Sequence, residues 1–177
     1  LHFTIHSFPT RRSSDLSAFR NEHVDFNQSN KEAALSYIST FQATGSTNMS
    51  GAFETAVPQF SASSDTVANI IIFFTDGKPT AGITNLQELL DHVDGLVTQN
   101  ETGLLLFTFG VGQNVNKQLL TLLAGENNGI AQFLGDDELE EVITEFYLQI
   151  RNPVLLNTDV EFSPDVVSEV YPGNLPN

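Results

Sequence analysis

Residues 68–85, ANIIIFFTDGKPTAGITN, constrain the fold more than any other part of the chain. Five apolar residues in succession (Ile70, Ile71, Ile72, Phe73 and Phe74) stop abruptly at Thr75-Asp76-Gly77. A β-branched and aromatic run without polar alternation is the pattern of a parallel strand covered on both faces. Such a strand needs helices above and below it, which commits the chain to an α/β architecture. A carboxylate and a glycine then stand at the strand's C-terminal edge, where open α/β sheets bind their ligands. Asp76 is therefore the first candidate for a working residue. Asp-Gly is also ordinary turn chemistry, and one loop alone does not separate the two readings.

The rest of the chain alternates in the same way. Asn30 is placed to cap a helix over 31–43, with Leu35, Ile38 and Phe41 on one face. The polar loop Thr44-Gly45-Ser46-Thr47-Asn48 leads to a second helical stretch lined by Met49, Ala52, Phe53, Ala56 and Phe60. Pro58 kinks or ends it. After the organising strand, Thr84 and Gln87 have the form of a capping box, and Leu86, Leu89, Leu90, Val93 and Val97 recur at helical spacing down to Asn100. A second apolar run, 104–109, ends in Gly110-Val111-Gly112. Val115, Leu119, Leu122 and Leu123 predict a helix stopped near Gly125, followed by a short strand at 130–134. Asp136 and Asp137 are placed to cap a last helix, with Leu139, Val142, Ile143, Phe146 and Ile150 inward. Strands expected at 69–75, 103–110 and 130–134, separated by helices, mean parallel βαβ units. The expected fold is an open, doubly wound, mostly parallel sheet flanked by helices. Three strands are few for such a sheet, so its front half is expected to be missing.

The two ends read differently from the middle. Residues 1–16, LHFTIHSFPTRRSSDL, resemble a translated sequencing-adapter fragment and are expected to be a non-native leader. They lack the apolar core of a secretion signal. Asn152-Pro153 breaks the last helix, and 153–177 is expected to open a following β-rich domain or tail. That leaves 17–152 as the body.

Charge narrows the partners. The formal net charge is −15; beyond residue 30 only Lys31, Lys78, Lys117 and Arg151 are basic. A body this acidic repels phosphate backbones, which argues against nucleic acid and for divalent cations or basic partners. Solvated acidic faces that confer solubility explain the same composition. No segment approaches the ~20 apolar residues of a membrane span. There is no cysteine, hence no disulfide and no thiolate metal site. Gly-x-Ser-x-Gly, His-Glu-x-x-His and the phosphate-cradling Gly-x-x-x-x-Gly-Lys pattern are all absent, which argues against an enzyme. Asn27, Asn48 and Asn100 fit the N-glycosylation pattern, with Asn100 the plausible acceptor at a helix-to-strand turn.

Thr47 and Asp76, from successive polar loops, are a hydroxyl and a carboxylate, and hard oxygen donors suit Mg2+ or Ca2+ rather than zinc. Gly45-Ser46-Thr47-Asn48, the apolar strand ending in Thr75-Asp76-Gly77-Lys78-Pro79-Thr80, Phe107-Thr108-Phe109-Gly110-Val111-Gly112 and Arg151-Asn152-Pro153-Val154-Leu155-Leu156 together resemble the von Willebrand factor type A domain. The likeness is greatest to the domain of the inter-α-trypsin inhibitor heavy chains and runs from about residue 17 to 165. The resemblance implies a metal-ion-dependent adhesion site at the sheet edge. Such a site joins an Asp-x-Ser-x-Ser motif, a threonine and an aspartate, with Thr47 and Asp76 in the last two roles. It also implies a secreted, non-enzymatic module that binds a protein or extracellular-matrix ligand through the ligand's carboxylate.

The serine motif is missing. Asp15-Leu16-Ser17 is the nearest string, and Phe19 stands where the last serine belongs. The family's first strand and first helix would lie upstream of Ser17. With two of five expected ligands, the resemblance implies that an intact parent binds Mg2+ (or Ca2+ or Mn2+) and that this chain binds it weakly or not at all. A scaffold with a degenerate metal site, or a hydrolase-type fragment, are the alternative readings.

Overall fold

Asparagine starts most of the helices. In the computed structural model, which describes residues 2–3, 6–7, 17–41, 46–60, 68–101, 103–135 and 139–150, helices α1 (Gln28–Ile38), α2 (Met49–Ala56), α3 (Leu86–Gln99) and α4 (Lys117–Glu126) follow Asn27, Asn48, Asn85 and Asn116. Each asparagine Oδ1 accepts the backbone N–H three residues on, at 2.9 to 3.2 Å. The first-turn N–H groups have no partner inside the helix, so a short side-chain acceptor just before it fixes where it begins. The fifth helix, α5 (Leu139–Ile150), carries Glu140 and Glu141 in its first turn, where acidic side chains favour the helix dipole. The expected caps Asp136 and Asp137 lie outside the described residues.

Two of these starts correct the sequence reading. Asn27, not Asn30, caps α1, because Asn27 is extended (φ −130°, ψ 171°) while the Asn30 side chain donates to Asp25 O. Helix α1 then ends at Ile38, and its inward face runs through Asn30, Ala33, Ala34 and Tyr37. Leu35, Ile38 and Phe41, expected inside, are 57, 42 and 42% exposed. Likewise Asn85 caps α3 in place of the Thr84–Gln87 box, and Gln87 donates instead to Asp91, one turn on.

The chain divides into two compact units, residues 1–64 with 77–103, and residues 65–76 with 104–177. The first holds α1, α2 and α3 and two small antiparallel pairs. Strand β1 (His2–Phe3) pairs with β4 (Val24–Asp25), and β2 (His6–Ser7) with β3 (Ser17–Ala18). Its core is apolar side chains of α2, the turn that follows it and α3, with Met49, Phe53, Val57, Leu89 and Val93 at 0 to 1% exposure. His92 Nε2 stands 3.0 Å from Glu54 Oε1 across the two helices. As expected from Pro58, α2 stops at Ala56 and passes into a 3-10 turn, Val57–Gln59. The His23 ring lies on Phe60 with its Nδ1 3.1 Å from Gln59 O.

The second unit is built on three parallel strands, β5 (Asn69–Thr75), β6 (Leu104–Val111) and β7 (Ala131–Leu134), in the order β5-β6-β7. All three stand where the sequence placed them. Side chains alternate across a strand, and β6 uses both of its faces. Phe107 and Phe109 meet Phe146 of α5 edge-on, at ring distances of 4.8 and 4.9 Å. On the opposite face the fully buried Thr108 donates its hydroxyl to Leu120 O of α4 at 3.0 Å. A buried hydroxyl without a partner is costly, and this bond removes that cost. Gly129 lies so close under β6 that a Cβ there would run into Leu106 O.

The covered-on-both-faces pattern assigned to 69–75 belongs instead to β6. Asn69, Phe73 and Thr75 of β5 are buried, but Ile72 and Phe74 are 41 and 46% exposed. Among the described residues β5 is the edge of its sheet, and its apolar run does not by itself bury both faces, because face burial depends on what packs above and below the strand. Residues 153–177, expected to begin a further domain, lie outside the described residues.

Candidate functional site

Thr47 ends the polar loop just before α2 and is half-buried. Its backbone is held from both sides by one neighbouring segment. Thr47 N–H donates to Thr80 Oγ1 at 2.8 Å, while Thr47 C=O accepts from the N–H groups of Thr80 and Ala81 at 2.9 and 3.1 Å. Beyond it, Asn48 Oδ1 accepts from Gly51 N–H and from the Ser50 hydroxyl, both at 3.1 Å. Ser50 Oγ in turn accepts from Ile83 N–H at 3.1 Å. The two loops, 46–50 and 77–83, are thereby joined at both ends.

Two glycines make the approach close. Gly82 has φ +66°, and a Cβ there would collide with Asn48 Oδ1 and Ser50 Oγ. At Gly77 a Cβ would meet Thr47 Oγ1 at 3.4 Å, an ordinary van der Waals contact. The Thr47 hydroxyl therefore stands beside residue 77.

Asp76 follows directly on β5, one residue after Thr75, which is in register with Gly110 of β6. Its side chain is exposed. It thus occupies the C-terminal edge of a parallel strand, the position expected for it. Thr47 belongs to the first unit and Asp76 to the second.

A hydroxyl and a carboxylate are the right kind of donor for a hard cation. They are too few to close a coordination shell, since Mg2+ requires a near-octahedral set of oxygens. Among the described residues no three His, Asp or Glu side chains come together. A site made of hydroxyls with a single carboxylate would leave most positions to water, to a partner's carboxylate or to side chains outside this set.

Sequence reading named Thr47 and Asp76 as candidates and missed what holds the Thr47 backbone. Thr80 stood only in the motif that carries the family resemblance, and neither Ser50 nor Gly82 was singled out. Gly82 alone carried a signal, since a glycine in Thr80-Ala81-Gly82 marks a backbone that needs positive φ. The glycosylation candidate Asn48 is engaged as the α2 cap, and Asn100 donates its side-chain amide to Leu96 O at the end of α3. No described helix is long and apolar enough to cross a membrane.

Comparison with known proteins agrees with this architecture. The family model of the von Willebrand factor type A domain matches residues 13–146. Inter-alpha-trypsin inhibitor heavy chain H1 of Sus scrofa is 30% identical over 165 residues, covering 87% of this chain and 18% of that protein. Heavy chain H2 of Homo sapiens is 26% identical over 183 residues, covering 99% and 19%. The chain therefore spans about a fifth of the length of these relatives. Among solved structures, a von Willebrand factor type A protein from Catenulispora acidiphila superposes with a TM-score of 0.66 at 15% identity, over 82% of this chain and 32% of that one. Proximal thread matrix protein 1 of the mussel byssus superposes with a TM-score of 0.55 at 16% identity, over 81% of this chain and 33% of that one.

Proposed function

Since this chain belongs to the von Willebrand factor type A domain family, we propose that it is a non-enzymatic interaction module. In this reading it binds an extracellular protein or matrix ligand with the help of a divalent cation, and Thr47 and Asp76 are the oxygen donors it contributes. The observation that carries the reading is the position of the Thr47 hydroxyl, 3.4 Å from where a Cβ of Gly77 would stand, Gly77 being the residue after Asp76. Mg2+, or Ca2+ or Mn2+ in its place, would supply positive charge to which a partner carboxylate can bind. Thr47 adds an oxygen without adding charge, so an ion held by Thr47 and Asp76 keeps most of its electrophilicity. Binding by this chain alone is weak, because two donors leave the coordination shell mostly to water. Secretion, as in the heavy chains it resembles, suits a module of this kind.

A second reading, a scaffold whose metal site has decayed, is favoured by the absence of Asp-x-Ser-x-Ser and of any described carboxylate cluster. Paramagnetic Mn2+ separates the two, because it broadens nuclear resonances near it even when binding is weak. Titrated into the 177-residue chain, it should broaden signals of residues 46–48 and 75–78 first, and Asp76→Asn should abolish that selectivity. Broadening confined to the acidic helix α5, with residues 46–48 and 75–78 unaffected, would leave only the scaffold.

A further inference from the structure

Thr80 is exposed, yet it bonds to the Thr47 backbone through both its side chain and its own N–H. Its hydroxyl accepts the Thr47 N–H at 2.8 Å and its own N–H donates to the Thr47 C=O at 2.9 Å, so one residue grips both sides of Thr47. With the peptide groups on both sides of a β-branched residue fixed, little freedom is left but a stiff χ1. The same segment brings Gly77 against Thr47 Oγ1. At its far end Ile83 N–H donates to Ser50 Oγ, which prevents the start of α2 from rotating away.

We infer that Thr80 is a positioning residue, whose side-chain oxygen holds the Thr47 backbone so that Thr47 Oγ1 is in place before a cation arrives. The inference rests on the reading of Thr47 as a metal donor. Its physical content is preorganisation: a donor already fixed loses little conformational freedom on binding. The hydroxyl is the group that matters. Valine at position 80 keeps the β-branched shape and loses the acceptor, while serine keeps the acceptor and loses a methyl.

The experiment uses the 177-residue chain with Thr80→Val and Thr80→Ser, first without metal and then with Mn2+. Without metal, hydrogen exchange at the Thr47 amide should accelerate by about fivefold to tenfold in Thr80→Val, the loss expected for one net hydrogen bond, and return to near the parent rate in Thr80→Ser. Exchange at Phe53 and Leu89, in the cores of α2 and α3, should not change. Equal Thr47 exchange in Thr80→Val and the parent, or failure of serine to restore it, overturns the inference. So does acceleration that spreads equally to Phe53 and Leu89, which would make Thr80 a general structural residue. With Mn2+, the concentration that half-broadens the Thr47 signal should rise by a similar factor in Thr80→Val alone; no rise overturns the inference. A parent chain with no Mn2+ effect at Thr47 or Asp76 overturns instead the metal reading beneath it, and the exchange measurement then still decides whether Thr80 holds Thr47.

Discussion

Gly82→Ala is the sharpest test of the joined loops. Gly82 sits at φ +66°, where an L-residue with a Cβ is less stable by about 1–2 kcal/mol. The new methyl would also displace Asn48 Oδ1, which caps α2, and Ser50 Oγ, which accepts from Ile83 N–H. Losing the cap costs about 1 kcal/mol, and a strained hydrogen bond up to about 1 more. The total is roughly 2–4 kcal/mol, which for a chain of this size lowers Tm by about 5–15 °C. Thermal melts followed by circular dichroism measure it directly. Gly95→Ala is the control: a Cβ there meets nothing within 4 Å and lies inside α3, so it should stabilise by about 0.5–1 kcal/mol. The collision also predicts coupling, in that Gly82→Ala should be less damaging when Asn48 is already alanine. A Gly82→Ala protein that melts within a degree of the parent would refute the reasoning, because either the positive φ or the contact would then be wrong.

Other substitutions test the packing. Leu35→Glu and Ile38→Glu on the exposed side of α1 should each change stability by no more than about 0.5 kcal/mol, where burial of that stripe would have made them cost several times more; a large drop in Tm would return Leu35 and Ile38 to the core. Thr108→Val leaves the Leu120 carbonyl without its side-chain donor inside the second unit and should destabilise by about 1–2 kcal/mol by denaturant titration, despite the more apolar residue; a stabilised protein would show that the hydroxyl is dispensable.

The parts of the fold that could be read from the sequence were those fixed by local pattern over many residues. The runs Ile70 to Phe74 and Leu104 to Phe109 have no competing interpretation, and both are strands in the expected register of elements. Pro58 ended α2 for a reason contained in its own ring. Helix starts were less legible, because several short polar residues compete for each cap. Asn27 and Asn30 are both competent N-caps, and the one that won has its neighbour's side chain tied to Asp25 O. The candidate site was half legible. Thr47 and Asp76 advertise their chemistry by residue type and by following or preceding an apolar element. Thr80 does not, since its role depends on a contact across 33 positions in the chain.

What the sequence determined by itself, then, is the alternation of strand and helix and which loop residues offer a hydroxyl or a carboxylate. Periodicity and residue chemistry are properties of a few neighbouring positions, and they survive whatever the chain packs against. Burial is different, because it depends on what lies opposite. Only the tertiary structure decided that β6 and not β5 is covered on both faces, since α4 meets one face of β6 and α5 the other, while Ile72 and Phe74 of β5 stay exposed. It likewise turned Ala33, Ala34 and Tyr37 of α1 inward and left Leu35 and Ile38 outside, and it brought Thr80 to the backbone of Thr47.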